Sequence, residues 1–195
     1  MTKNEIIDKL KQRLSIKLFT HTLATGNMAK QLAKIYESDE EKAYLTGILH
    51  DCAKNMSKKE LLVYARSYKI PVDSIAIMQP SLLHSVVGAN IARLEFGIDD
   101  PEILHAIEIH TTGSKNMSLL DKILYVSDSA EANRDYEGVD IIREFAFSGE
   151  LDKALLEAIN VKLVHVLSKK ILIHHGSIEA WNDTINCIFS KKVRI

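Results

Sequence analysis

Six histidine and aspartate residues occupy positions where a helical repeat of apolar residues would otherwise continue. His21 shares a predicted helix face with Met28 and Leu32, and the pair His50-Asp51 ends another apolar stripe. The full set is His21, His50, Asp51, His84, His110 and Asp128. Imidazole and carboxylate groups without thiolates are the donor set of a cation that prefers nitrogen and oxygen ligands. The spacing therefore predicts a metal site built from five helices.

The expected burial of two carboxylates strengthens this prediction. A buried carboxylate is costly unless it is paired or bound to a cation, and no Lys or Arg lies on the same stripe as Asp51 or Asp128. Neighbouring helical residues point about 100° apart, so His50 and Asp51 can hold one ion only beside the end of their helix. Taken singly, His21, His84 or His110 would be typical of a core histidine bound to a carbonyl, but their joint occurrence favours metal binding.

The other histidines have different expected roles. His105 falls off the stripe that ends at His110 and is predicted to lie on a helix flank. His165, between two valines on a long helix, is predicted to be a core or interface residue. His174 and His175 precede Gly176 and are predicted to mark a turn between two helices.

Helix start and stop signals show which elements must position these side chains. Thr2 with Glu5, Ser38 with Glu41, and Ser57 with Glu60 have the spacing of a capping box. Asp100-Pro101 predicts a further helix start, and Gly97 and Gly149 predict helix ends. Helical periodicity returns near the C-terminus at Ile178, Trp181, Ile185 and Ile188.

Glycine and proline are scarce, with 8 Gly and 3 Pro among 195 residues, which argues against a turn-rich sandwich or barrel. No stretch alternates with the period of a strand, and no linker or repeat divides the chain. We therefore predict one all-α helical bundle over residues 1–195, with essentially no β-sheet.

The charge balance excludes several classes of partner. The chain has 25 Lys and Arg against 26 Asp and Glu, a formal net charge of −1, so a general electrostatic attraction to polymeric nucleic acid or to a membrane is not expected. Cys52 and Cys187 are far apart and form no CxxC pair, which argues against a disulfide framework or a thiolate zinc site. With no signal-like or membrane-length apolar run, we expect a cytoplasmic protein.

The order His21, His50-Asp51, Asp128 resembles the H…HD…D signature of HD-domain metal-dependent phosphohydrolases. The surrounding segments GILHDCAKN, SLLHSVVGANIA, AIEIHTTG and MSLLDKILYVSDSAEANRDYEGVD are similar to those of the YqeK-type family, the symmetrical bis(5′-nucleosyl)-tetraphosphatases of bacteria. The resemblance runs from about Ser15 to the final helix. Cys52 and the serines that flank Asp128 depart from the usual family residues without removing a ligand.

The resemblance implies a ligand set and a metal. His21, His50, Asp51 and Asp128 correspond to the metal ligands, and the implied metal is iron, as Fe³⁺ or a di-iron centre, with Mn²⁺ or another divalent ion as alternatives. His84 and His110 either complete a second metal site with Asp51 as the bridge or face the phosphates directly. Asp51, His84 and His110 are thus the expected catalytic residues.

The resemblance also implies a division of the chain. Residues 18–134 would form the metal core, and helices over 138–190 would complete the fold and the nucleotide pocket. Lys54, one turn beyond His50, and Arg134, in the loop after Asp128, are placed to reach phosphate. The full expected substrate-binding set is Lys54, Asn55, Ser57, Thr111, Thr112, Arg134, His174, His175, Ser177 and Glu179.

The implied reaction is attack of a metal-bound hydroxide on phosphorus, which would split diadenosine tetraphosphate, a small-molecule dinucleoside polyphosphate, into two molecules of ADP. Two alternatives stay open: an HD phosphohydrolase acting on a nucleoside mono- or triphosphate, and a non-catalytic nucleotide-binding regulatory scaffold. The absence of a GYP motif and the Lys54-Asn55 sequence after His50-Asp51 disfavour the cyclic-dinucleotide and alarmone branches. Apolar faces late in the chain leave room for a homodimer.

Overall fold

The protein is described by a computed structural model that covers residues 1–193, with side chains to residue 190. The last two residues of the predicted domain 1–195 lie outside the described part. Within it, the chain forms eleven α-helices and one 3₁₀ turn, and no residue is in a strand. The predicted all-α class is confirmed. No helix in residues 1–193 is both long enough and apolar enough to cross a membrane.

The helices follow one another through short connections. Their bounds are α1 Lys3–Arg13, α2 Ile16–Ile35, α3 Glu40–Leu49, α4 Lys58–Ser67, α5 Ser74–Met78, the 3₁₀ turn Pro80–Leu82, α6 Leu83–Phe96, α7 Pro101–Ile109, α8 Leu119–Ala130, α9 Val139–Phe147, α10 Leu151–Ser168 and α11 His175–Val193.

Local sequence explains most of the helix starts. The capping boxes of Thr2 with Glu5 and Ser57 with Glu60 both form, and Asp100 caps the helix that begins at Pro101. The predicted box of Ser38 with Glu41 is wrong, because Asp39 is the capping residue of α3 and accepts a hydrogen bond from the Lys42 amide. The Asp39 carboxylate lies one residue nearer the helix than Ser38 and can accept hydrogen bonds from the backbone amides of the first turn, which have no partner within the helix.

Helix ends also follow the sequence in most cases. Gly97 ends α6 in the left-handed conformation, as its position predicted. α11 begins at His175, so the predicted turn extends only to His174. His165 is exposed on α10, so the prediction of a core histidine is wrong, while its interface alternative stays a prediction.

One apolar core joins the helices. Its fully buried members include Leu32 of α2, Ile48 of α3, Ile107 of α7 and Leu124 of α8. α8 is buried along nearly its whole length and packs against α2, α7, α9 and α10. The helix that carries Asp128 is therefore held from several sides, as a rigid support for a site requires.

α2 and α3 cross at two glycines. A Cβ atom placed on Gly47 would lie 2.6 Å from the Gly26 Cα atom and 2.8 Å from its nitrogen, so the two backbones touch directly. His21 lies just before this crossing on α2, and His50 lies just after it on α3. The close approach of the two backbones thus brings the first two predicted ligands together.

Candidate metal centre

The structure brings the six predicted ligands to one place. His21 comes from α2, the pair His50-Asp51 from the end of α3, and Asp128 from α8. His84 is the second residue of α6, and His110 directly follows α7. Asp51, His50, His84 and His110 are almost fully buried, and Asp128 is 8% exposed.

One set of ligand atoms lies around the Oδ2 atom of Asp51. His21 Nε2 is 3.7 Å and His50 Nε2 is 3.4 Å from this oxygen. The Oδ1 atom of Asp128 is 3.2 Å from His21 Nε2 and 3.6 Å from His50 Nε2. Donor atoms that share an ion about 2.1 Å away are roughly 3.0 to 3.4 Å apart in octahedral or tetrahedral geometry, so this spacing suits a common ion.

A second set lies around the other oxygen of the same carboxylate. Asp51 Oδ1 is 3.2 Å from His84 Nε2 and 3.4 Å from His110 Nε2. The two histidine nitrogens are 3.2 Å apart. Asp51 therefore presents one oxygen to each set, the arrangement of a carboxylate that bridges two metal ions.

The tautomers of the buried histidines suit metal binding. The Nδ1 atoms of His50, His84 and His110 each donate to the main-chain carbonyl three residues earlier, at 2.6, 2.5 and 2.7 Å. A carbonyl can only accept, so each Nδ1 carries a proton and each Nε2 is the atom that faces the cluster. Burial lowers the pKa of His50, but Asp51 and Asp128 reverse this and raise it to about 9, so without a metal ion its Nε2 also carries a proton, which an ion would replace. His50 Nε2 is buried and makes no hydrogen bond to the described residues, a cost that a metal ion would remove.

His21 is oriented by a carboxylate instead of a carbonyl. Its Nδ1 atom is 3.1 Å from Glu131 Oε1, and the Glu131 side chain is itself buried. The amide nitrogens of Asn133 donate to the other oxygen of Glu131 at 2.6 and 3.0 Å. Such carboxylate–histidine pairs fix the ring and raise its basicity toward a metal.

Electrostatics keep both aspartates ionised. Burial raises the pKa of Asp51, but the surrounding histidines, His50 first, more than reverse this and hold the pKa well below its usual range. Burial also opposes the charge on Asp128, where the ammonium of Lys162 lowers the pKa well below its usual range. For His110, burial lowers the pKa to about 3 against its hydrogen bond with Asp51, so the ring is neutral.

Cationic side chains surround the two aspartates. Lys54 and Arg134 were expected near the substrate phosphates, whereas Lys162 was not predicted. Lys54 Nζ is 3.3 Å from Asp51 Oδ1 and 2.9 Å from His84 Nε2. Arg134 Nη2 is 2.8 Å from Asp128 Oδ1, and Lys162 Nζ is 3.2 Å from Asp128 Oδ2. The lack of a Lys or Arg on the same stripe therefore does not leave these carboxylates unpaired, because the cations come from the turn after α3, the loop after α8 and α10. The convergent Nε2 atoms, and not uncompensated charge, are the better reason to place a metal here.

Two cavities border the cluster. The larger has a volume of about 690 Å³ and is lined by Thr111, Tyr125, Arg134 and Lys162, among others from α10 and the segment before α11. The smaller, of about 560 Å³, is lined by His21, Asp51 and Lys54 together with the start of α2. Both volumes are in the range of small-molecule sites.

The predicted substrate-binding residues divide among several places. Thr111, Thr112, Arg134, His174 and Ser177 line the larger cavity, and Lys54, Asn55 and Arg134 line the smaller one. Thr111 Oγ1 also lies 3.1 Å from His84 Nε2 and 3.2 Å from His110 Nε2. His175 and Glu179 line a separate cavity of about 260 Å³. The Ser57 hydroxyl caps α4 instead.

A third histidine–aspartate group lies apart from the cluster, at Asp73, His174 and His175. His174 Nδ1 accepts a hydrogen bond from the Gly176 amide, so its Nε2 carries the proton and donates to Asp73 Oδ2 at 2.7 Å. Both ring nitrogens of His174 are thus occupied by the fold, and the pair joins the starts of α5 and α11.

The comparisons with known proteins agree with this geometry. Residues 18–133 match the HD domain family model. Two relatives named symmetrical bis(5′-nucleosyl)-tetraphosphatase are similar in sequence: one from Halalkalibacterium halodurans is 34% identical over 95% of this chain and 98% of its own, and one from Bacillus subtilis is 36% identical over 87% and 90%.

A solved structure is also similar. It is an HD superfamily hydrolase from Clostridium acetobutylicum, described as involved in NAD metabolism, with a TM-score of 0.91 and 38% sequence identity over 95% of this chain and 98% of that one. The sequence, the fold and the ligand cluster agree on one assignment. This chain belongs to the HD-domain family of hydrolases, within the group whose members are named symmetrical bis(5′-nucleosyl)-tetraphosphatases.

Proposed function

We propose that this protein is a metal-dependent phosphohydrolase that cleaves diadenosine tetraphosphate at its centre and releases two molecules of ADP. One observation carries the proposal: the Nε2 atoms of four histidines converge on Asp51 and Asp128 beside a cavity that can hold a nucleotide. The names of the relatives supply the substrate class and the symmetry of the cleavage.

We propose a dinuclear metal site with iron as the metal. His21, His50, Asp51 and Asp128 would hold one ion, and Asp51, His84 and His110 the other. Imidazole and carboxylate ligands suit iron, and Mn²⁺ and Zn²⁺ accept the same donors. Bound in this site, such ions supply two effects: they lower the pKa of water, and they neutralise charge on phosphoryl oxygens.

The chain's own cations would hold the polyphosphate over the cluster. Arg134 is fixed by Asp128, whose main-chain oxygen accepts from Nε at 2.9 Å and whose Oδ1 accepts from Nη2 at 2.8 Å. Lys54 and Lys162 reach the cluster from the turn after α3 and from α10. Arg134 is positioned before substrate arrives and would stabilise developing phosphoryl charge with little reorganisation. Lys54 contacts Asp51 Oδ1 and His84 Nε2, so it would turn from these atoms toward the phosphates when an ion binds there.

The larger cavity would bind one nucleoside of the substrate. Tyr125 and Tyr136 line it together with apolar residues of α10, such as Val161 and Leu163. Aromatic and apolar walls bury the face of a base, and polar groups such as Ser177 are available to its edge. This lining would exclude water from the nucleoside while the phosphates face the cations.

The decisive experiment is product analysis. The metal-loaded protein is incubated with diadenosine tetraphosphate in ¹⁸O-labelled water, and the products are separated and weighed by mass spectrometry. We expect ADP alone, with one ¹⁸O atom per pair of ADP molecules. Equal amounts of AMP and ATP would contradict symmetrical cleavage. Faster hydrolysis of a nucleoside triphosphate than of the dinucleotide would favour the alternative phosphohydrolase.

A pair of variants tests whether the cluster is responsible. Asp51→Asn keeps the size of the bridging residue but removes its charge, and it should abolish cleavage. His105→Ala is the matched control, because His105 lies on α7 near the cluster but pairs with Asp121 through its Nδ1 atom, at 3.1 Å. Retained cleavage in metal-loaded Asp51→Asn would place the reaction elsewhere.

A further inference from the structure

The smaller cavity beside the cluster is left empty when one nucleoside fills the larger cavity. It borders the ligand atoms directly, because His21 and Asp51 form part of its wall. Of the residues described as lining either cavity, Arg134 is common to both. None of the six ligands lines the larger cavity, but Thr111, Arg134 and Lys162 of its wall contact His84, His110 and Asp128. The larger cavity therefore reaches the cluster through these three side chains.

The walls of the two cavities differ in chemistry. The smaller one, called the α2 cavity here, is lined mainly by hydroxyl, amide and ammonium groups at the start of α2, after α3 and after α8, together with the carboxylates of Asp51 and Glu131. The hydroxyl, amide and ammonium groups include those of Ser15, Lys17, Thr20, Asn55 and Asn133, with Leu18 as an apolar member of the wall. The larger one, called the α10 cavity, has two tyrosines and several aliphatic side chains instead.

We propose that the α2 cavity binds the second nucleoside diphosphate half of the substrate, so that the polyphosphate crosses the cluster from one cavity to the other. The inference rests on the proposed function. A dinucleotide cleaved at its centre has two identical halves, and each needs its own space. The two cavity volumes, about 560 and 690 Å³, are similar enough for one nucleoside diphosphate each.

The cations are distributed as such a path requires. Lys17 and Lys54 line the α2 cavity, Lys162 lines the α10 cavity, and Arg134 lines both. Each substrate half has two phosphates, so each meets at least one lysine and shares the arginine at the centre. Lys54 and Lys162 also touch different aspartates, Asp51 and Asp128, which separates them across the cluster.

The crossing determines which bond breaks. With two phosphates on each side of the cluster, the oxygen that joins the second and third phosphorus atoms lies over it. The water oxygen forms a bond to one of these phosphorus atoms, and the bond from that atom to the bridging oxygen breaks. The bridging oxygen leaves with the other half, and one water thus yields two ADP.

The two halves are expected to bind unequally. The α10 cavity can bury a base against tyrosine and aliphatic side chains, whereas the α2 cavity offers mainly hydrogen bonds, which contribute less against water. After cleavage, ADP should leave the α2 cavity first. Metal-loaded protein should therefore bind two ADP molecules with distinct affinities.

The test fills the α2 cavity and compares two substrates. Thr20 is exposed on α2 and lines the cavity, so Thr20→Trp should block it without disturbing the core. Ser67→Trp is the matched control, since Ser67 is also exposed and helical and lines a cavity of about 630 Å³ on α4 that includes no ligand. The substrates are diadenosine tetraphosphate and adenosine 5′-tetraphosphate, which has the same phosphate chain and lacks the second adenosine.

We expect the wild-type protein to prefer the dinucleotide in kcat/KM, and Thr20→Trp to reduce that preference by about tenfold or more while Ser67→Trp retains it. Calorimetry with ADP should find two sites in the wild type and one in Thr20→Trp. An unchanged preference together with two ADP sites in folded Thr20→Trp would overturn the inference. Failure of the proposed function itself would look different, because the wild type would then not cleave the dinucleotide.

Discussion

The Nε2 atoms of His84 and His110 face each other at 3.2 Å, although each ring has already donated its Nδ1 proton to a main-chain carbonyl. Two lone pairs are therefore held close together in a buried place. Thr111 and Lys54 supply hydrogen-bond donors to them, and the Lys54 ammonium adds a positive charge. The fold thus maintains a position that favours a cation.

Metal stoichiometry tests this relationship. His110→Ala removes one ligand from the set around Asp51 Oδ1 and leaves the His21, His50 and Asp128 set intact. The variant should bind one metal ion per chain where the wild type binds two, as measured by elemental analysis after dialysis. The exposed His105, on the helix that precedes His110, provides the control His105→Ala, which should retain two ions. Two ions in folded His110→Ala would contradict a ligand role for this residue.

Glu131 is predicted to support the metal indirectly, through His21. Glu131→Gln weakens the acceptor for His21 Nδ1 and should lower metal affinity by about 10- to 100-fold, the usual cost of losing such a partner. Competition with a chelator measures the affinity, and circular dichroism checks the helical content. Glu144→Gln, at an exposed glutamate of α9, should leave the affinity unchanged. Equal affinities in the two variants would show that Glu131 does not tune the metal.

Lys162 is predicted to bind substrate phosphate from α10. Its ammonium contacts Asp128 Oδ2 at 3.2 Å and lies 3.9 Å from the centre of the Tyr125 ring. Lys162→Met keeps the aliphatic stem and should raise KM about tenfold with a smaller change in kcat. Lys122→Met removes a similarly buried lysine whose partner is Asp152, and it should leave KM unchanged. A lower metal content with normal KM in Lys162→Met would assign the lysine to metal retention instead.

We expect substitution by alanine to have opposite effects on stability at two glycines, one at the crossing of α2 and α3 and one on α6. Gly47→Ala places a methyl group against the Gly26 backbone, which cannot move aside as a side chain can, and should destabilise the protein by about 1–3 kcal/mol. At Gly88 the nearest atom to an added Cβ, the His50 carbonyl oxygen, is 3.5 Å away. Gly88→Ala should therefore be neutral or stabilising because alanine favours the helix. Chemical denaturation of both variants checks the difference in sign.

We expect ionisation of Tyr36 to lower the stability of the protein at high pH. Burial, with the charges of Glu150 and Asp152, raises the pKa of Tyr36 to about 12, and its hydroxyl donates to the Ala146 carbonyl at 2.7 Å. Because the folded protein holds this proton more tightly, its contribution is complete below about pH 10 and is lost as the pH rises through about 12. Tyr36→Phe should lower the Tm at pH 8, and the difference from wild type should shrink by pH 11. A constant difference would exclude this role.

Periodicity within single helices was enough to predict the helical fold and to select the six clustered side chains. Residues on one face of a helix recur at helical spacing, and this spacing selected His21, His84 and Asp128. The second oxygen of Asp51 then allows the two ligand sets that the resemblance implied. The homodimer suggested by apolar faces late in the chain stays a prediction. Val164 and Leu167 are exposed on α10, as such an interface would require.

Partners that reach across helices could not be predicted in this way. Lys162 lies more than 30 residues from Asp128, and only the packing of α10 on α8 brings them together. Its position among Val161 and Leu163 on an apolar helix was a usable signal. Glu131 had a weaker sequence signal, which was its position three residues after Asp128. The capping box predicted at Ser38 does not form, because Asp39 accepts the capping hydrogen bond one residue closer to the helix.

All six clustered side chains lie within residues 18–133, whereas much of the outer wall of the α10 cavity comes from α10 and the start of α11. Under the proposed function, the ligand cluster and the wall that accepts one of the two bases are thus encoded in largely separate stretches of the chain. Substitutions on α10 would then change which base is accepted while the coordinating groups stay constant.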